Sequence, residues 1–394
     1  MSTGTILHIN AVGFPAAIEM NLDRSLKAWP FVVANERAPR AVVIAPSPSA
    51  HREGVRPGMV LSMAKSICPK LAVRPPQPEL YRKIEDTLQK LCLSFTPLVE
   101  HAGTGHLYLD LAGTSRLFGA PEDASQKLRA RIYEQTGLTP TLGLSSNKTV
   151  SKVATRVFRP SGFVALSANE ESQLLRHQPA AILPGIGPVL LGRLSLLDIE
   201  EIGQIADLTA GEARALGPLG LELVMRARGI DSSPVDPEPV ERKTVDDTIV
   251  FEPDTSDPEI MKIRLRSLVA ELGFALRKAN VGTHKASVAI SYTDGPTARA
   301  TARTSQLLVR DDEIFSLALQ ALERAKKRRV RVRRLELILS EIDAAGASLD
   351  LFEPEEIRLF RFQSALDKVH SRFGFEALVP CSALLVANSL GGQS

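Results

Sequence analysis

Apolar positions along the first 165 residues change period several times. Thr5–Ile9 is short and β-rich, and Phe14–Lys27 spaces Ala, Ile, Met and Leu at helical intervals, so a strand is predicted to give way to a helix. Arg40–Ala45 reads as a second strand, Ala50–Met59 gathers Gly and Pro as a turn, and Met59–Ile67 reads as a helix closed by Cys68-Pro69. Leu80, Ile84, Leu88, Leu91 and Cys92 share one side of a helix predicted over Pro78–Ser94. A strand over His106–Leu111 and a helix over Ala124–Thr136 follow. Helices backing a small sheet give an α/β or α+β first domain.

A second pattern begins near Ala165, where short helical segments run to Asp231. Within it, Pro179–Pro188 contains Gly185-Ile186-Gly187 and has the form of a helix-hairpin-helix, whose glycines let backbone N–H groups approach a phosphate. Ser232–Pro239, with its alternating prolines and no apolar period, is a linker. Beyond it a strand near Arg242–Val245, a helix over Glu259–Ala279, a strand over Lys285–Tyr292, a helix over Asp311–Ala325 and a strand over Arg334–Leu339 predict a compact α+β module with one open sheet face. After Ser340 comes a tail: a flexible Ala344–Ala347, the apolar run Ser348-Leu349-Asp350-Leu351-Phe352, and a helix over Glu355–Phe373 with Ile357, Phe360, Phe362, Leu366 and Val369 free to dock. Residues 387–394 are expected to be disordered.

Composition narrows the class. The 394 residues are enough for two to four domains, and no run nears the roughly 20 apolar residues that span a bilayer. No basic leader precedes the first strand, so a cytoplasmic protein is expected. Cys68, Cys92 and Cys381 are too scattered for a metal knuckle and read as packing residues. A net charge of +3 does not by itself call for nucleic acid, so the distribution matters more. Lys326, Lys327, Arg328, Arg329, Arg331 and Arg333 bunch ahead of the last predicted strand, with Arg331 and Arg333 expected on one strand face as a phosphate-tracking edge.

Several segments, in order, resemble the Y-family (DinB/UmuC-type) DNA polymerases. They are Ile6–Phe14, Gly54–Met59, Thr96–Gly119, Gly143–Lys148 with Ser151–Ala154, Leu183–Gly187 and Arg226–Asp231. The resemblance covers about Ile6 to Ile342. It implies a right-hand α+β multidomain architecture: palm over 1–13 and 82–164, fingers over 14–81, a helix-hairpin-helix thumb over 165–232, a linker over 233–241, a little finger over 242–342 and a tail over 343–394.

The same resemblance exposes a deficit. Positions that carry metal-binding acids in the family hold Asn10, Gly105 and His106, and magnesium in two-metal chemistry requires hard anionic oxygens. Residues that would grip the triphosphate become Pro48 and His51, and the aromatic sugar gate becomes Pro15, while Lys152 is kept. His51 and His106 could face each other across the emptied site. The resemblance therefore implies a non-catalytic member, similar in that respect to ImuB-type accessory proteins, with no metal cofactor and weak or absent magnesium binding. Its DNA contacts are expected from Gly185, Ile186, Gly187, Arg299, Arg303 and the basic cluster. Primer-template or damaged DNA is the implied partner, with the sliding clamp and an error-prone polymerase as further partners and no membrane. Leu349, Asp350, Leu351 and Phe352 resemble four of the five positions of the bacterial clamp-binding pentapeptide. Two alternatives remain: an active translesion polymerase using displaced acids (Asp110 with Glu100 or Glu19), and a pure interaction adaptor.

Overall fold

A computed structural model describes residues 4–36, 38, 40–160, 162–237, 244–345, 354–374 and 377. The chain divides into two compact units, Met1–Pro239 and Val240–Ser394.

The first unit opens with β1 (Ile6–Asn10), α1 (Phe14–Leu22), β2 (Phe31–Val33), β3 (Ala45–Pro46), α2 (Pro48–Arg52), α3 (Leu61–Ile67) and β4 (Ala72–Arg74). It continues through α4 (Pro78–Leu93), β5 (Val99–His101), β6 (His106–Asp110), α5 (Ser115–Phe118), α6 (Pro121–Thr136), β7 (Thr141–Ser145), α7 (Lys148–Val157) and β8 (Gly162–Ala165). Five strands form one sheet in the order β5-β6-β1-β7-β8, and β3-β2-β4 form a second, small one. Leu7 and Ile9 point to the face of the large sheet that packs with Leu88 and Cys92 of α4 and Leu128 and Ile132 of α6. Helices α8 (Ala168–Arg176), α9 (Pro188–Ser195), α10 (Ile202–Ala206), α11 (Ala210–Ala215) and α12 (Gly220–Ala227) then enclose a separate core around Leu175, Leu194, Ile202 and Val224. These helices are short, and α11 carries its own capping box: Thr209 accepts the Glu212 N–H at 3.4 Å, and Glu212 returns the bond to the Thr209 N–H at 2.8 Å.

The second unit contains β9 (Thr244–Thr255), α13 (Pro258–Lys278), β10 (Val281–Tyr292), β11 (Thr297–Leu308), α14 (Asp311–Ala325), β12 (Val332–Ala344) and α15 (Pro354–Phe373). Its antiparallel sheet runs β11-β10-β12-β9, with α13 and α14 packed on one face through Leu265, Leu272, Leu317 and Ala321. Among the described residues no helix is long and apolar enough to cross a membrane.

Four expectations need correction. The helix predicted over Phe14–Lys27 stops at Leu22, because Asp23 is extended and its carboxylate accepts the Ser25 N–H at 3.0 Å, starting a separate 3-10 turn. The strand predicted over Arg40–Ala45 is reduced to Ala45–Pro46 and a bridge between Val42 and Val60, and the partner strand Phe31–Val33 went unread. The Ala50–Met59 turn begins as a helix, since Ser47 caps Ala50 and Pro48 starts its first turn. In the second unit β11 was missed: Thr297–Leu308 has polar residues along its open face and only Ala302 and Leu308 fully buried, so apolar alternation is faint. Of the tail residues offered for docking, Phe362 is exposed, Leu366 and Val369 are half-buried, and the side chains of Ile357 and Phe360 lie outside those described; polar contacts also hold the helix. Arg277 forms a two-pronged pair with Asp367 (2.7 and 2.8 Å) and reaches Asp311 at 2.7 Å, while Gln363 donates to Asp311 at 2.9 Å.

Candidate functional site

Antiparallel register sets His106, Asn10 and Thr141 in one row across β6, β1 and β7. The next row on that face holds Tyr108, His8 and Gly143. Helix α7 covers the face, which it can do because Gly143 has no side chain: a Cβ there would stand 2.6 Å from the Ser151 carbonyl oxygen. Asn147 caps the helix by accepting the Val150 N–H at 3.0 Å and donates to the Gly229 carbonyl at 2.9 Å. So anchored, α7 brings Lys148, Lys152, Thr155 and Arg156 to the sheet.

His8 is fully buried, with Nδ1 2.7 Å from Thr155 Oγ1. That hydroxyl donates to the Lys152 carbonyl at 2.9 Å, so it accepts from His8 Nδ1–H and leaves Nε2 as a bare lone pair. His8 Nε2, His106 Nδ1 and Thr141 Oγ1 are all buried without a hydrogen-bond partner among the described residues. The His8 ring stacks on His106, centroids 5.4 Å apart and planes 17° apart, and leans on Tyr108 at 4.6 Å. His106 therefore meets His8, not His51. His51 sits exposed on α2, its carbonyl accepting from Arg56 at 2.6 Å.

The electrostatics follow from burial and from the cations of α7. Burial, then Lys152, Arg156 and His101, push the His106 imidazole down to about 4. Burial, then His106 and the same two α7 cations, hold His8 well below the ordinary histidine range. Both rings are neutral at pH 7. Burial and Arg156 also lower Lys152, whose ammonium stands 5.8 Å from the centre of the Tyr108 ring, while Lys148 pairs with Glu100 at 2.6 Å.

Gly105 closes the hairpin between β5 and β6 with φ +74. Its carbonyl accepts the Ala11 N–H at 2.9 Å, and its own N–H donates to Glu85 at 3.1 Å. A Cβ at this position would lie 3.0 Å from Phe14 Cβ and 3.1 Å from the Ala11 carbonyl oxygen. Pro15 and Pro48 each lie in the first turn of a helix, α1 and α2, where a missing N–H costs nothing. The acids singled out as substitutes have other partners: Glu19 takes the Tyr81 hydroxyl at 2.6 Å, Glu100 holds Lys148, and Asp110 accepts the Ala112 N–H at 2.9 Å. Among the described residues no three His, Cys, Asp or Glu side chains gather as a metal site. His8, Thr155 and Arg156 went unremarked in the sequence. The two-residue spacing of His8 from Asn10, and the three- and four-residue spacings of Thr155 and Arg156 from Lys152, were the available signals.

The other expected contacts fall on separate surfaces. Gly185 takes φ +99 and Gly187 precedes α9 with open space around it, but Pro188 removes one N–H and the Ile186 N–H bonds the Leu183 carbonyl at 3.2 Å. In the basic cluster, the Lys326 ammonium donates to the Ser256 carbonyl at 2.8 Å, and Arg328 pairs with Asp294 at 2.5 Å over the Tyr292 ring. Lys327, Arg329 and Arg331 are exposed. Arg331 lies just before β12, and Arg331 and Arg333 are both exposed on either side of buried Val332, while a register irregularity between Val332 and Arg334 leaves Arg334 exposed as well. Arg299 and Arg303 are exposed on one face of β11. Leu349, Asp350, Leu351 and Phe352 lie outside the described residues, as does Cys381.

Comparison with known proteins places these surfaces in context. Residues 9–156 match the impB/mucB/samB family and residues 242–351 match the C-terminal domain of that family. DNA polymerase IV of Caulobacter vibrioides is 31% identical over 394 residues, 98% of this chain and 95% of that protein. DNA polymerase IV of Dehalococcoides mccartyi (strain CBDB1) is 28% identical over 96% of this chain and 97% of its own length. Among solved structures, a Y-family DNA polymerase chimera, Dbh-Dpo4(243-245)-Dbh, covers 86% of this chain and 99% of its own at TM-score 0.76 and 22% identity. DinB from Sulfolobus solfataricus covers 85% of this chain and 98% of its own at TM-score 0.58 and 22% identity.

Proposed function

We propose that this chain, which belongs to the impB/mucB/samB family of Y-family DNA polymerases, holds DNA in translesion synthesis without adding nucleotides itself. The observation that carries this reading is the row His106–Asn10–Thr141, with His8 stacked on His106 from the next row and Lys152 and Arg156 of the covering helix near by. Two-metal phosphoryl transfer needs carboxylates at such a place to clamp both ions. Here the donors are one amide, one hydroxyl and two neutral imidazoles beside cations, a set that does not fit a pair of magnesium ions.

What the chain keeps suits a different task. Gripping a phosphate backbone takes arginine, lysine and backbone N–H groups and no metal. Lys327, Arg329, Arg299 and Arg303 supply exposed cations on the second unit, and the Gly185–Gly187 turn opens toward solvent on the first. In this reading residues 1–13 and 82–164 are a palm emptied of catalysis, 14–81 the fingers, 165–232 the thumb and 242–342 the little finger. Leu349–Phe352 would recruit the sliding clamp, a role that replacement of Leu351 and Phe352 by Ala should abolish in a pull-down with purified clamp.

The test is fluorescence anisotropy with a primer-template across a salt series. Binding should weaken steeply with salt, and magnesium with the next correct nucleotide should leave the affinity unchanged. Nucleotide-dependent tightening in magnesium would mean that a ternary complex assembles and would sink the proposal.

A further inference from the structure

The four-stranded sheet of the second unit leaves one face open, and the register sets its side chains in rows. Arg303, Lys285 and Ser340 share one row, and Arg299, Ala289 and Glu336 share another. Arg334 stands one row beyond, opposite Ser291. A face with four cations is what a phosphate backbone needs, yet two glutamates stand among them. Arg303 Nε lies 2.7 Å and Lys285 Nζ 3.4 Å from the Glu341 carboxylate. Arg299 and Arg334 each lie 3.8 Å from Glu336. Each of the four cations is thus faced by a carboxylate.

Glu341 is also held in an unusual conformation. Its φ is +54, a region that side chains other than glycine seldom adopt, and it follows Ser340, the β12 partner of Lys285, beside the point where the β10–β11 register slips between Thr283 and Lys285. The buried Thr283 hydroxyl donates to the Ser340 carbonyl at 2.8 Å and holds the β12 backbone just before it. A residue held at positive φ persists only where its surroundings enforce it, and that backbone turns the side chain off the ordinary strand direction. The effect here is to aim a carboxylate at Arg303 and Lys285.

We propose that Glu336 and Glu341 are built-in competitors of nucleic-acid phosphate, holding the cations of this face until a backbone displaces them and so keeping its intrinsic affinity for DNA low. The inference rests on the reading that this face binds DNA. A phosphate approaching Arg303 must break the pair with Glu341 and is repelled by the carboxylate it displaces. A surface that releases readily suits a protein that must surrender DNA to another enzyme. The plainer reading is that the pairs only brace the sheet; in that case their removal lowers stability and gains nothing in binding.

The experiment uses the full chain and a short fluorescent duplex, comparing wild type with Glu336→Gln, Glu341→Gln and the double variant across a salt series. Glutamine keeps the size of each side chain and one acceptor oxygen and removes the charge. The double variant should bind about tenfold tighter near 0.1 M salt, with the log–log salt slope steeper by ~0.9 for each cation freed to contact phosphate. Arg299→Ala with Arg303→Ala in that background should erase the gain. Thermal melting checks folding, and the single variants carry the same comparison if the double variant does not fold. If wild type binds with steep salt dependence and the variants gain nothing or lose affinity, the competition is refuted while the DNA reading stands. If neither wild type nor variants bind at low salt, the DNA reading falls and the competition with it.

Discussion

Replacing Gly105 with Asp puts a carboxylate back where the family resemblance calls for one, and the local geometry opposes it. The backbone there has φ +74, so any side chain pays a left-handed penalty of about 1–2 kcal/mol. The new Cβ would lie 3.0 Å from Phe14 Cβ and 3.1 Å from the Ala11 carbonyl oxygen, both buried where β1 leads into α1, adding about 1–3 kcal/mol of overpacking. A second acid also comes near Glu85, which already accepts the Gly105 N–H. The expected loss is about 2–5 kcal/mol, which for a unit this size lowers Tm by roughly 4–20 °C. Differential scanning calorimetry reads it directly, and Gly105→Ala should show most of the loss without the charge. A Gly105→Asp protein that melts within about a degree of wild type would refute the reasoning, because it would mean that the hairpin still accommodates a ligand acid.

Three further outcomes follow from the same contacts. His8 and His106 bind protons less readily folded than unfolded, so stability present at pH 7 is lost as pH falls from the unfolded value of 6.5 toward about 4; His106 alone should account for about 2 kcal/mol by pH 5, and a His106→Gln protein whose urea midpoint fell just as steeply over that range would count against the assignment. Arg277→Met leaves Asp311 and Asp367 facing each other without their shared cation, and should cost about 3–5 kcal/mol in the second unit, with limited proteolysis showing early release of α15; unchanged cleavage would contradict the latch. In DNA binding, Lys327→Ala and Arg329→Ala should each reduce the log-salt slope by ~0.9, whereas Lys326→Ala, whose ammonium serves the Ser256 carbonyl, should lower Tm and leave the slope alone.

What was legible in the sequence, and what was not, divides along physical lines. Helices with a wide apolar stripe, such as Pro78–Leu93 and Asp311–Ala325, were read almost to the residue, because burial of one helical face repeats in sequence. Strand β11 was hidden because its outer face is built from Thr and Arg, and this hid the open surface on which Arg299 and Arg303 stand. At the candidate site, the absence of acids at Asn10, Gly105 and His106 was visible in one dimension. That His106 stacks with His8, and that Gly105 has taken a left-handed turn, depends on strand pairing and hairpin geometry, which no local pattern encodes. The acids Glu19 and Glu100 looked available in sequence, and only their long-range partners Tyr81 and Lys148 show them committed. The same holds for Lys326 and Arg328, whose charges serve the fold as much as any ligand.

The central claim is that the five-stranded sheet binds no catalytic metal pair, and primer extension tests it most directly. Purified protein in excess over a labelled primer-template, with all four nucleotides and either magnesium or manganese, should leave the primer at its starting length over hours. Extension of the primer by even one templated nucleotide, lost in Asp110→Ala, would contradict the account.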